Sequence, residues 1–126
     1  MNDPETMEAA VRTYAESFNR GDLDGILSIF AEDATVEDPV GTPLKRGHEE
    51  LRAFFGVGVQ MGARLHLDGP VRCAADHAAF PFHVILEWEG RTQRIDVIDV
   101  FRFGEDGKVA EMRAFFGPQN MSDAQP

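Results

Sequence analysis

The chain predicts an α+β fold, with helices packed on one face of a strongly curved, mainly antiparallel sheet. Three observations carry the expectation. Apolar residues recur at helical spacing through the first half, and from Leu65 onward the period drops to two. A third is the turn chemistry between the later runs, which joins successive strands as hairpins. At 126 residues the chain has the size of one domain and no room for a separate cofactor-binding domain. A domain of this size buries roughly two-thirds of its unfolded surface, enough for a core without staples. The lone Cys73 cannot form an internal disulfide, and one thiol with four histidines disfavours a structural zinc site. Neither a metal nor a cofactor is expected.

The first helix opens at Asp3-Pro4, a capping side chain followed by proline at the first helical position. Met7, Ala10, Val11, Tyr14 and Phe18 then form its apolar stripe, and Asn19-Arg20-Gly21 ends it. Asp22 can cap a second, short helix that buries Leu23, Ile26, Leu27 and Phe30. Residues 34–38 alternate like a strand and stop at Pro39, with Gly41 and Pro43 marking a loop. A third helix over about 48–59 presents Leu51, Phe54 and Phe55 before glycines break it. Strands follow near 65–67, 71–74, 78–88, 92–103 and 109–116. Glu89-Gly90-Arg91 makes one hairpin turn and Gly104-Glu105-Asp106-Gly107 the next. The segment 117–126 is polar and is expected to form a loose tail of the single domain 1–126.

Twelve basic residues against twenty-two acidic give a formal charge of −10, which repels nucleic acid and anionic membrane. The first residues have neither a basic region nor an apolar stretch, and no segment approaches the ~18 apolar residues of a membrane span. A cytoplasmic location is expected.

Function is legible where the apolar alternation fails. Around residue 99 one strand face carries Ile95, Val97, Asp99, Phe101 and Phe103, so Asp99 points into the core. No basic residue shares that face, and an ionised carboxylate there would be heavily penalised, so Asp99 should stay protonated and donate a hydrogen bond. The alternatives are satisfaction by backbone amides or a bulge that turns it outward. Asp38 shares a face with Ala34 and Val36 and also points inward, with Pro39 biasing its backbone to extended geometry. Alternatively, Asp38-Pro39 simply starts a turn. Tyr14 is the one tyrosine beside ten phenylalanines, on a buried stripe where phenylalanine would fill the space. Its hydroxyl needs an acceptor, which could be a backbone carbonyl. Together, a carboxylate able to take a proton and two neutral donors in an apolar cavity suit enolisation next to a carbonyl, with the donors as an oxyanion hole.

Other motifs fall away. His48-Glu49-Glu50-Leu51-Arg52 lacks the second histidine of a zinc-protease helix, and the glycines of 56–62 have the wrong spacing for a dinucleotide loop. His66, His77 and His83 fall at outward positions, Ser28 has no histidine near it in sequence, and Asn120-Met121-Ser122 is only a formal glycosylation triplet.

With Tyr14, the run Val36-Glu37-Asp38-Pro39-Val40-Gly41 and the run Asp96 to Phe103 in place, the sequence strongly resembles the bacterial Δ5-3-ketosteroid isomerases, within the cone-shaped NTF2-like (SnoaL-like) superfamily. The likeness runs from the first helix to about Asn120. The resemblance implies three N-terminal helices on a curved mixed sheet, a homodimer, and an apolar steroid ketone as ligand. It implies Asp38 as the base moving a proton from steroid C4 to C6, and Tyr14 and Asp99 as donors to the dienolate oxygen. Phe30, Phe54, Phe55, Phe80, Phe82, Phe101, Met112 and Phe116 are candidates to line the steroid slot. Two positions depart: Phe55 stands where some members carry a tyrosine relaying to the catalytic phenol, and Phe116 where others carry tryptophan. A polyketide cyclase-type enzyme and a non-catalytic carrier of apolar ligands are the competing readings. For a partner surface, Ile98 and Val100 lie between arginines on the outer face of the strand bearing Asp99.

Overall fold

The computed structural model describes residues 2–124. Helix α1, Pro4–Arg20, starts where the Asp3 side chain accepts from the Thr6 amide at 2.8 Å. It ends at Gly21, whose φ of 68° is the left-handed geometry glycine adopts without strain. Its buried face includes Met7, Val11, Tyr14 and Phe18. Helix α2, Leu23–Leu27, is capped by Asp22, which accepts from the Gly25 amide at 2.9 Å. It is shorter than its apolar spacing suggests. Phe30, expected on this helix, is instead the first residue of strand β1, Phe30–Glu37. The Val109 amide donates to the Ile29 carbonyl at 2.8 Å and Phe30 sits opposite Val109, so sheet pairing overrides local periodicity while the ring stays buried.

After β1 come β2, Lys45–Arg46, helix α3, Gly47–Gln60, and strands β3, Arg64–Leu67, and β4, Arg72–Ala74. The long pair β5, His77–Trp88, and β6, Arg91–Phe103, follows, then β7, Val109–Phe115. The sheet runs β2-β1-β7-β6-β5-β3, with β4 paired to β5. β1 and β7 are parallel and the other pairs antiparallel, so the sheet is mixed, with the helices set against it. The β5–β6 hairpin closes through Glu89 and Gly90, both at positive φ, as a two-residue turn requires. The Asn19 side chain donates to the Leu65 carbonyl at 3.0 Å and accepts from its amide at 2.8 Å, fixing the end of α1 to β3.

The expected loose tail is ordered through residue 124. Pro118–Asn120 form a 3-10 turn, and β8, Met121–Asp123, pairs antiparallel with residues 93–95 of β6. β7 pairs only with residues 98–103 of β6, so the edge beyond is open for a strand that shows no apolar alternation. Asp123 adds bonds from Arg91 at 2.6 Å and Gln93 at 3.0 Å. Residues 125 and 126 of that segment lie outside the described residues.

Burial alternates along β6 as expected: Val97, Asp99, Phe101 and Phe103 are buried while Asp96, Ile98 and Arg102 are exposed. On the outer face Ile98 and its cross-strand neighbour Phe115 are 50% and 42% exposed. Among the described residues no helix is long and apolar enough to cross a membrane.

Candidate active site

Tyr14 reaches inward from α1 into a cage of rings. Phe18, Phe101 and Phe55 lie edge-on to it, at centroid distances of 5.3, 5.4 and 6.0 Å. Its hydroxyl donates to the Met112 Sδ at 3.6 Å and not to a backbone carbonyl. A thioether is a weak acceptor, so the donor capacity of the phenol is largely unspent. Phe55 offers packing against the phenol and no oxygen. Burial pushes the Tyr14 phenol well above its usual range, and the neighbouring carboxyls of Asp99 and Asp38 push it further.

Asp99 lies mid-strand on β6, opposite Phe80 of β5 and Ala114 of β7. The register is unbroken there, so no bulge turns it outward. Backbone amides do not satisfy it either: the residue is 0% exposed and both carboxyl oxygens lack a hydrogen-bond partner. Burial raises its pKa well above the usual carboxylate range, and a charge on Asp38 raises it further. Burial therefore favours the neutral acid form of Asp99.

Asp38 stands one residue beyond β1, followed by a cis bond to Pro39. The turn foreseen for this dipeptide is present, with Thr42 bonded back to the Pro39 carbonyl. Its side-chain acceptor is Glu37, which takes the Gly41 amide at 2.9 Å, and so the turn does not use the Asp38 carboxyl. Asp38 is half-buried because it opens into the cavity. Desolvation raises its pKa to about 6, with the Lys45 ammonium opposing the rise. Of two coupled carboxyls, the one with an opening and a cation nearby ionises first.

All three groups line one cavity of about 310 Å³. Phe54, Phe55, Phe82 and Phe116 of the expected slot line it as well. Phe30, Phe80, Phe101 and Met112 do not; they form the layer behind. Phe30 stacks on Phe55 at 5.4 Å, Phe80 and Phe101 pack against Tyr14, and Met112 accepts its hydroxyl. Much of the wall comes from smaller side chains that residue type did not single out. Val57, Gly58 and Met61 come from the end of α3, Val84 and Leu86 from β5, and Ile95 from β6. A β-carbon on Gly58 would lie 3.3 Å from the Phe18 ring, so the glycine that looked like a helix breaker lets α3 close on α1 at the cavity wall. The one available signal was the inward parity of residues 82, 84 and 86.

The remaining candidates lie elsewhere. His48 Nε2 contacts the Phe30 carbonyl at 3.0 Å, His83 pairs with Asp68 at 2.8 Å and stacks on His66, and Ser28 donates to the Gly25 carbonyl.

Comparison with known proteins agrees with this architecture. A SnoaL-like domain matches residues 11–112. The chain is 37% identical over 117 residues to a steroid Δ-isomerase of Nocardioides simplex, covering 91% of the chain and 93% of that protein. It is 33% identical over 115 residues to the epoxide hydrolase LasB of Streptomyces lasalocidi, covering 86% of the chain but 40% of that longer protein. A solved structure of SalBIII, an epoxide hydrolase/cyclase-like enzyme in pyran ring formation in the polyether salinomycin, matches with a TM-score of 0.91 at 27% identity, covering 98% and 99% of the two chains. A family match across most of the chain, an isomerase relative of nearly equal length and the mixed sheet closed over three helices together make this chain a member of the SnoaL-like, NTF2-like family.

Proposed function

We propose that the protein is a cofactor-independent steroid Δ5-isomerase, converting a 3-oxo-Δ5-steroid to its conjugated 3-oxo-Δ4 isomer. The observation that carries the reading is the unspent donor pair: a fully buried carboxylic acid without a partner and a phenol held only by a thioether, facing the cavity that Asp38 also lines. The ionised Asp38 takes the C4 proton, and the electron pair moves into the dienolate. Negative charge collects on the C3 oxygen, where the hydroxyl of Tyr14 and the acid of Asp99 can both donate. The protonated Asp38 then returns the same proton to C6. No group outside the cavity is required, and apolar walls hold water away from the dienolate. The 37% identical isomerase relative supports the same chemistry.

The direct test is ultraviolet: incubation with 5-androstene-3,17-dione should give growing conjugated-enone absorbance, and tight binding without that growth would indicate a carrier. The pH dependence follows from Asp38. As a base with a pKa of about 6, it is competent when ionised, so kcat/KM should hold level above pH 7 and fall tenfold per pH unit well below 6. A profile flat down to pH 4.5 would remove Asp38 as the base.

A second reading is favoured by the likeness to LasB and SalBIII. The same neutral acid could protonate an epoxide oxygen while Asp38 activates the attacking hydroxyl. A panel containing an epoxide with a pendant hydroxyl beside the steroid separates the two. For the partner expected above, the exposed Ile98 and Phe115 supply an apolar surface on the outer sheet face.

A further inference from the structure

Lys45 is a cation on the strand paired with the one that leads into the base. It is the Cα partner of Val36 across the β1–β2 pair. Residues directly opposite in a pair project to the same face, so Lys45 shares the inner face with buried Val36 and, two residues on, with Asp38. A half-buried lysine on that face is unusual, since charged side chains normally leave for water. Its ammonium lies 4.4 Å from the centroid of the Phe54 ring, and Phe54 lines the cavity with Asp38. Cation and ring attract, which gives the lysine a fixed station without an ion pair.

We propose that Lys45 is a positioning residue for the Asp38 carboxylate: its ammonium, stationed over Phe54 on the inner face of the β1–β2 pair, favours the charged form of the base in an apolar cavity. The role rests on the reading of Asp38 as the base. Among the described residues, the other groups facing Asp38 are neutral, acidic or engaged elsewhere. α1 presents the phenol of Tyr14 and β6 the acid of Asp99, both neutral or repulsive toward a carboxylate. α3 presents the rings of Phe54 and Phe55; its His48, Glu50 and Arg52 are engaged with the Phe30 carbonyl, the Arg46 amide and Asp24, and its Glu49 is exposed. Beside Asp38, Glu37 is held by Arg113 of β7 at 3.4 Å, and Glu111 of β7 pairs with Arg102 at 3.5 Å. The Lys45 field on Asp38 is the one attractive charge that opposes its desolvation. When an apolar ligand displaces water from the cavity, the effective dielectric falls and this attraction strengthens. The stronger attraction then offsets part of the added desolvation of the base.

The test uses the ligand-free protein labelled with ¹³C at aspartate carboxyls, the Asp38 signal being identified by its loss in Asp38→Asn. Lys45→Met should raise the Asp38 midpoint by about 0.5–1 pH unit, the size expected of an opposite charge beyond ion-pair contact. Lys45→Arg, which keeps the charge and can stack on the ring, should restore it. Raising ionic strength from ~0.01 to ~0.5 M also screens the repulsion of the chain's −10 charge, which lowers the midpoint, so the salt response is read as a difference: the wild-type midpoint should fall less than that of Lys45→Met. The acid limb of kcat/KM should move with the midpoint. An Asp38 midpoint unchanged in Lys45→Met, or an equal salt response in the two proteins, overturns the proposal; Lys45→Gln, read in the same way, serves if the methionine variant fails to fold. If the midpoint shifts but no isomerisation occurs, the role of Lys45 holds and the isomerase reading fails.

Discussion

Asp38→Asn is expected to lower isomerase turnover by about 10²–10⁴, the range for removal of a general base that also acts as the returning acid. The amide has nearly the same shape and cannot accept the C4 proton. Because the turn at Pro39 is held by Glu37 and Thr42 and not by the Asp38 carboxyl, the fold should survive the change. KM should move little, since most of the cavity wall is apolar and unaltered. A loss in kcat with KM preserved would place the defect in proton transfer. Steady-state rates from enone absorbance provide the check, and a rate within threefold of wild type would eliminate the proton shuttle.

Asp99→Leu is expected to move rate and stability in opposite directions. Loss of one of two oxyanion donors should lower kcat by about 10²–10³. Stability at neutral pH should rise by about 1–3 kcal/mol, because the wild-type carboxyl is fully buried with both oxygens unpartnered. The pH dependence has a definite sign. The folded pKa of Asp99 lies above its unfolded value of about 3.9, so the unfolded chain gives up this proton first as pH rises. The wild type therefore loses stability from about pH 4 upward until the folded group also titrates, and the advantage of the leucine variant should widen over that interval. Urea melts at several pH values would measure it. Tyr14→Phe, removing the other donor, should cost a similar factor in kcat, with a smaller change in stability because only a bond to sulfur is lost. A faster and more stable Asp99→Leu enzyme would show the buried acid to be a packing defect and not a donor.

Periodicity carried far in this chain because each long element has one buried face. The inward row of β6, including Asp99, and the stripe of α1, including Tyr14, follow from spacing alone, as do the caps at Asp3 and Asp22. What spacing lacks is depth along an element. Phe80, Phe82, Val84 and Leu86 share one parity on β5, yet Phe80 is sealed behind the phenol while the other three reach the cavity. Choosing without depth therefore put Phe30, Phe80, Phe101 and Met112 in the wall and passed over Gly58 and Met61. Short pairings were illegible for a different reason. Two residues in β2 and three in β8 are too few to show a period; β2 is held by backbone bonds to the preceding strand β1, and β8 by bonds to β6, far back in the sequence. The station of Lys45 over Phe54 depends on that short β2 pairing and had no local signature.

At neutral pH the two carboxyls of this cavity are expected to hold opposite protonation states. Difference infrared spectroscopy of the wild type against Asp99→Leu and Asp38→Asn, from pH 5 to 8, tests this most directly. The prediction is a protonated-acid carbonyl band that fades near pH 6 and is absent in Asp38→Asn, beside a second such band that outlasts it as pH rises and is absent in Asp99→Leu. An ionised Asp99 at pH 7 would contradict the account.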